Sequence, residues 1–358
     1  MSENADLNSP ADAIPEPIWL PNQQAIEKTH IKAAMRLQGF DTYRQLYDWS
    51  VTEPGQFWAY VLSTLEIRFD RPPQSVLDLT AGSATADWLV GARMNIAESC
   101  FAGAAERCAV IEGSPDGSRR DFTYAQLRGL ANRVARGLMA RGIVQGEGVA
   151  VFMPMTAAAV AIYLGIVLAG CTVVSIADSF SAEEVRSRLR IGQAKAVFTV
   201  MTVQRGERQI PVYERIVNAD GPAAIVVEAA TQHSLDESTS LRRGDILWSE
   251  LLSDDASDIA VHVAADAAMN ILFSSGTTGD PKAIVWDHTT PIKAAADGLF
   301  HHDIHSGEVV AWPTNLGWMM GPWLIFATLI NRGTIALYNG APGESAFANF
   351  VQSARVNI

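Results

Sequence analysis

The sequence is poor in cysteine. Its 358 residues include three, Cys100, Cys108 and Cys171, with no CxxC spacing. That argues against a disulfide framework or a cysteine-ligated structural zinc site and fits a reducing compartment, with the cytoplasm as the expected location. Positive charge is also short. Lys and Arg total 27 against 39 acidic residues, a net charge of −12. This disfavours a generic surface for nucleic acid or anionic lipid, while leaving room for a local basic pocket. Charged residues as a whole reach 18% against 48% apolar, so the composition of a disordered chain is missing. The opening MSENADLNSPADAIPEP has no basic segment followed by an apolar one and is not read as a secretory signal. No internal repeat or low-complexity tract is seen.

Charge is absent from two long stretches, Val149–Ile176 and Val309–Asn331, of 28 and 23 residues. Each is long enough to cross a bilayer. The first, however, divides into VAVFMP, TAAAVAIYLGIVLAG and CTVVSI. Pro154 and Thr156 open an Ala/Leu/Ile helix and Gly170 closes it, between two β-branched runs. That is the pattern of a buried parallel β-α-β unit. The second stretch is punctuated by Pro313, Asn315, Gly317, Gly321 and Pro322, which suits a protein core better than lipid. No membrane span is expected.

The rest of the chain divides by composition. Residues 1–38 form a polar, proline-containing arm with a helical stretch from Gln24 to Leu37. Residues 39–107 are rich in aromatics (Tyr43, Tyr47, Trp49, Phe57, Trp58, Tyr60, Phe69, Trp88) and read as helices and turns that cap a larger body. From residue 108 strands and helices alternate. CAVIEG is a strand. Leu127, Leu130, Val134 and Leu138 fall at helical spacing in a helix that Gly142 stops. SAEEVRSRLRIGQA is a helix with a Ser N-cap, its Glu183, Glu184, Arg186 and Arg190 read as a solvated face with i, i+3 and i, i+4 pairing. KAVFTV and AAIVVEA are strands, and acidic loops at 233–245 and 253–266 separate the units. The fold class is therefore α/β, with mostly parallel sheets flanked by helices. Cys171 lies inside the β-α-β core and is read as inert. His301 and His305 stand at i, i+4, but no Glu occupies the HExxH register, and with His302 they are read as loop residues rather than metal ligands.

The most informative segment is MNILFSSGTTGDPKAIVW, Met269 to Trp286. Two apolar runs flank a cluster of small hydroxyls and glycines that ends in Asp-Pro-Lys. Clustered backbone N–H groups and hydroxyls can hold phosphate oxygens, and Lys282 adds charge. GxxxxGK[ST] is absent and no helix clearly follows, so this is not a Walker A loop. The pattern predicts an exposed loop between two adjacent strands.

Ser274 to Lys282, SSGTTGDPK, resembles the signature of the adenylate-forming (AMP-binding) enzymes, [ST]-[ST]-G-[ST]-T-G-x-P-K, with Ala283 where a glycine usually follows. Other segments resemble the acetyl-CoA-synthetase-like branch. WLVGARMNIAESCF retains Gly91, Asn95 and Cys100 of a GGxLNxxxNC element. FTYAQLRGLANRVARGLMARGIVQGEGVAVFMPM is similar to the segment before the first core strands, and SFSAEEVRSRLRIGQAKAVFT to GFSxExLxxRI. RGERQIP resembles RxGRxIP. PTNLGWMMGPW resembles ADxGWxTGHSY, with Met320 and Pro322 replacing Thr and His, so the acyl pocket is expected to be altered. The similarity runs from about residue 40 to residue 358, and its motifs occur in the family's order.

The resemblance implies the large N-terminal α/β domain of such enzymes. It also implies ATP-dependent activation of a carboxylic acid to an acyl-adenylate, then thioester formation with coenzyme A. Ser274, Ser275, Gly276, Thr277, Thr278 and Gly279 would hold the β- and γ-phosphates with Lys282, and Thr277 and Lys282 would be catalytic. Mg²⁺ would accompany ATP. Arg205 and Arg208 would meet the 3′-phosphate of coenzyme A, and Trp318, Met319, Met320 and Gly321 would shape the acyl pocket. No YGxTE motif, ribose-binding Asp motif or lid lysine is found. The chain is therefore read as the N-terminal portion of such an enzyme, inactive alone, with the remainder on a longer or separate chain. Two alternatives stay open: adenylation for a carrier-protein thiol, and a non-catalytic nucleotide- or acyl-binding fragment.

Overall fold

The computed structural model describes residues 20–205, 208–228, 241–275, 279–343 and 345–358. The chain divides into two compact units, Met1–Val51 and Thr52–Ile358. In the first, the helices Gln23–Lys28 and His30–Gln38 are capped by the side chains of Asn22 and Thr29, and Gly39 ends the second in a left-handed conformation.

The second unit is built on two sheets. The larger has seven strands in the spatial order Ile246–Leu247, Ala223–Val227, Ala194–Val200, Gly148–Phe152, Thr172–Ser175, Ala268–Ser274, Lys282–Asp287. All neighbours are parallel except the last pair, which is antiparallel. The smaller runs Val309–Ala311, Thr334–Tyr338, Cys108–Gly113, Arg119–Thr123, with the final pair antiparallel. The expected fold class, mostly parallel sheets flanked by helices, is the one observed.

The uncharged run Val149–Ile176 is a β-α-β unit. Its helix, Ala157–Leu168, starts at the N-cap Thr156 and is buried at every position but Ala158. Such a helix needs apolar residues all round rather than a stripe. It crosses the helix Tyr124–Ala140 closely enough that a Cβ on Gly165 would lie 2.7 Å from the Ala131 carbonyl oxygen. Among the described residues no helix is long and apolar enough to cross a membrane.

Side chains alternate across the larger sheet. Val149, Val151, Val173 and Leu272 join the core that contains the helices Tyr124–Ala140 and Ala157–Leu168. Ala150, Phe152, Val174 and Phe273 face the helices Ala182–Ile191 and Val212–Asn218. The two sheets are joined at Glu112, which is 5% exposed. Its carboxylate accepts from Arg120 and Asn339 in the smaller sheet's region and from the Ala157 N–H that begins the buried helix. An acceptor at a helix N-terminus meets both the unpaired N–H groups and the helix dipole.

Two sequence expectations need correction. Residues 52–107 are not only helices and turns. Ser75–Asp78 pairs with Asp87–Val90, and Arg93–Met94 pairs with the distant Val263–Ala264. Strands of two to four residues leave too little alternation to read, and one partner is non-local. Second, Arg186 and Arg190 of Ala182–Ile191 do not pair along the helix. Glu184 closes a capping box with Ser181. Arg186 donates to the carbonyls of Asn218 and Ala219, and Arg190 approaches Asp280 at 3.6 Å.

Cys171 is buried as expected, and burial pushes its thiol up to about 12. Asn95, fully buried, donates to the carbonyls of Val167 and Val261 and accepts from the Ala97 N–H.

His288 follows the last strand of the larger sheet and is 2% exposed. Its Nδ1 accepts from the Ile96 N–H at 3.1 Å, which assigns the ring proton to Nε2 in the neutral form. Burial pulls its pKa from 6.5 down to about 4, against a small opposing pull from Asp287. Between those values the unfolded chain binds the proton and the folded chain does not. Stability therefore falls as pH drops from about 6.5 to 4, and this group removes nothing further below that. The full span is on the order of 3 kcal/mol. Urea midpoints from pH 7.5 to 4 for the native chain and His288→Asn should diverge in that window. Parallel curves would remove His288 as the source.

Candidate functional site

The larger sheet carries a topological switch. From Gly148–Phe152 the chain passes to the helix on one face and returns as Thr172–Ser175. From there it passes to Ala182–Ile191 on the opposite face and returns on the far side of the first strand. The connections after these two adjacent strands therefore diverge at their C-terminal ends, where open α/β sheets place their ligand crevices.

Three segments converge on that edge. One is the hairpin loop. Ala268–Ser274 and Lys282–Asp287 are antiparallel, with Ser274 opposite Lys282, as the flanking apolar runs predicted. Ser274 and Lys282 are thus the rims of the loop, and Ser275, Gly279 and Lys282 are exposed. Gly279 has φ 109°, which favours glycine. Gly276, Thr277 and Thr278 lie outside the described residues. Ala283 stands opposite Phe273 in a regular ladder without positive φ, so a methyl is accommodated there.

The second segment, residues 313–321, leaves the C-terminal end of Val309–Ala311 in the smaller sheet and reaches the switch point of the larger. The Asn315 amide donates to the Met153 carbonyl, 3.4 Å, and its oxygen accepts from the Gly317 N–H. A Cβ on Gly317 would lie 2.0 Å from the Ala177 nitrogen. This segment therefore spans the two diverging connections. Trp318 and Met319 are 52% and 59% exposed, so they are not core residues. Met320 and Gly321 open the helix Met320–Ile330, with Gly321 buried against the Asn315 carbonyl. A neighbouring pocket is lined by Met155, Trp312, Pro313, Tyr338 and Phe347.

The third segment is Ala177–Ser181, of which the sequence motif covered Ser179, Phe180 and Ser181 but not Asp178. The Phe180 ring lies 5.9 Å from Trp318 on one side and under the Arg188 guanidinium at 3.9 Å on the other. Arg188 also lies 5.7 Å from the ring of Phe273, at the root of the hairpin loop. Arg215 donates to the carbonyls of Asp178 and Phe180. Asp178 is 7% exposed and pairs with Arg205 at 2.7 Å. Burial raises the Asp178 pKa, opposed by the charge and hydrogen bond of Arg205 and the charge of Arg215. Arg205 and Arg208 face each other across the hairpin of Thr202–Arg205 and Arg208–Pro211. The structure thus brings Arg205 to the same loop as Trp318, through a carboxylate that no motif had indicated.

Residues 98–358 match the family of AMP-binding enzymes, and residues 43–100 match the acetyl-coenzyme A synthetase N-terminus. The chain belongs to the AMP-binding enzyme family. It is 40% identical, over 96% of its length, to the probable peroxisomal acyl-activating enzyme 17 of Arabidopsis thaliana and to hexanoyl-CoA synthase of Cannabis sativa. It covers 50% and 51% of those proteins, so it spans about half the length of the curated relatives it matches. Among solved structures, acetoacetyl-CoA synthetase from Streptomyces lividans superimposes with a TM-score of 0.86 at 27% identity, over 96% of this chain and 55% of that one.

The histidines at 301, 302 and 305 of this chain have these neighbours. His302 packs edge-on against Trp323, His305 lies 3.2 Å from Asp303, and His301 lies 3.7 Å from Asp297.

The closeness of Gly317 to backbone sets a test. Gly317→Ala should destabilise the fold by about 1–3 kcal/mol through overpacking, read as a lower urea midpoint. An unchanged midpoint would mean that the segment does not bear on Ala177 as described.

Proposed function

We propose that the protein containing this chain activates a carboxylic acid with ATP and transfers the acyl group to coenzyme A. A carboxylate oxygen attacks the α-phosphorus and pyrophosphate leaves. The thiol sulfur then attacks the acyl carbon and AMP leaves. The observation that carries this reading is that Ser274 and Lys282, the rims of the SSGTTGDPK loop, stand at the C-terminal edge of the sheet, on the side where residues 313–321 reach the switch point. Ser274, Ser275, Gly276, Thr277, Thr278 and Gly279 would hold the β- and γ-phosphates, with Thr277 and Lys282 acting on the reacting group. ATP would come as its Mg²⁺ complex. The protein's contribution is positioning and charge stabilisation.

Trp318, Met319, Met320 and Gly321 would border the acyl group, and Arg205 and Arg208 the 3′-phosphate of coenzyme A. The exposed apolar pair Trp318 and Met319 supports an aliphatic acid. The hexanoyl group in the Cannabis sativa relative's name supports a chain longer than acetate and a place in fatty-acid metabolism. Residence in the cytoplasm is supported by the scarcity of cysteine. The names of two Arabidopsis thaliana relatives say peroxisomal, and imaging of the tagged protein decides between the two compartments.

The test is acid-dependent exchange of labelled pyrophosphate into ATP by the complete protein. Lys282→Ala should lower kcat/KM for ATP by about one to two orders of magnitude, the worth of a hydrogen bond from a charged group, with little change in KM for the acid. An unchanged value for ATP would take Lys282 out of the site. Transfer to a carrier-protein thiol but not to free coenzyme A would replace the second half-reaction.

A further inference from the structure

We propose that Asp178 is a positioning residue for Arg205, anchoring one edge of its guanidinium so that the remaining edge meets the 3′-phosphate of coenzyme A. This rests on the reading of Arg205 and Arg208 as ligands of that phosphate. The hairpin that carries Arg205 is a separate two-stranded sheet of four-residue strands, outside the seven-stranded sheet. Its own pairing does little to hold a long side chain in one orientation. Asp178 supplies that restraint. Its carboxylate is buried, and the contact between Oδ2 and the Arg205 Nη2 is 2.7 Å. The Arg205 side chain remains 46% exposed. A guanidinium has five N–H donors in a planar fork, so one carboxylate contact leaves most of them for a second anion.

The Asp178 end of the pair is fixed. Arg215 grips its carbonyl and that of Phe180, Arg188 stacks on the Phe180 ring, and the Ser181–Glu184 capping box closes the segment. Ala177 bears on Gly317. Among the described residues, the charged groups at the segment are Arg188, Arg205 and Arg215 against Asp178 and Glu184, which acts on both Arg188 and Arg215. Among the described residues these three cations, with Arg208 opposite Arg205 in the hairpin, outnumber the two anions. Asp178 therefore orients a cation without neutralising the site, as a positioning carboxylate must.

The test compares coenzyme A with dephospho-coenzyme A, which lacks the 3′-phosphate, by isothermal titration to the full chain. The unaltered protein should prefer coenzyme A. Asp178→Ala and Arg205→Met should each weaken coenzyme A binding about tenfold, the worth of one charge-assisted contact, and change dephospho-coenzyme A binding less than about twofold. The double variant should be no weaker than Arg205→Met alone. If Asp178→Ala does not fold, Asp178→Asn, which keeps the shape and one acceptor oxygen, should show a smaller loss with the same selectivity. Equal weakening of both thiols, losses that multiply in the double variant, or no loss of coenzyme A binding would overturn the positioning role. A native chain that does not distinguish the two thiols would instead overturn the reading of Arg205 and Arg208 on which the proposal rests.

Discussion

The site depends on one pair of parallel strands, Gly148–Phe152 and Thr172–Ser175. Both are buried throughout, and they pair from Gly148 opposite Thr172 to Val151 opposite Ser175. Because the chain leaves the first toward one face of the sheet and the second toward the other, their C-terminal ends cannot share a covering connection. Residues 313–321 bridge the gap from the second sheet, and the hairpin loop rises from the adjacent strand. An uncharged, fully buried β-α-β unit is what makes the arrangement rigid. Its strands have apolar neighbours on both faces, and its helix has no solvent face to turn outward.

Polar residues in this protein act mainly on backbone carbonyls and helix starts. Arg186, Arg215 and Asn95 each hold a distant segment by its carbonyl groups. Glu112 serves both a helix N-terminus and the neighbouring sheet. Such contacts join segments far apart in sequence and satisfy groups that would otherwise be buried without partners. Asp178, like Glu112 with Arg120, is a buried carboxylate paired with a half-exposed cation, Arg205. The same segment that tethers Arg205 also backs Trp318 through Phe180, so the thiol-carrier and acyl readings of the site meet on five residues, 177–181.

Family membership accounts for the architecture and leaves the substrate to the details. Relatives share the AMP-binding core. Here Met320 and Pro322 stand in the helix that begins beside the exposed Trp318 and Met319, and Ala283 sits in a ladder position that admits a methyl. Of these departures from the motif, Ala283 is exposed, whereas Pro322 is buried and Met320 packs against the core, so the last two change what the helix presents to its neighbours. Gly317 and Gly321, whose missing Cβ atoms lie against backbone, are retained.

The sequence by itself determined the local elements and the chemistry of the loop. Thr156 and Gly170 bracketed a helix, β-branched and apolar runs marked the strands, and SSGTTGDPK between two apolar runs marked a hairpin, because capping, residue preference and turn chemistry act over a few residues. Tertiary structure decided what those signals cannot reach. It set which strands became neighbours, that Arg93–Met94 would pair with Val263–Ala264, that Arg190 would turn to Asp280 rather than along its helix, and that Asp178 would hold Arg205. The physical reason is that a charged side chain on a helix or loop has many partners of nearly equal local merit. The choice among them is made by burial and by non-local pairing, which appear only once the sheet has closed.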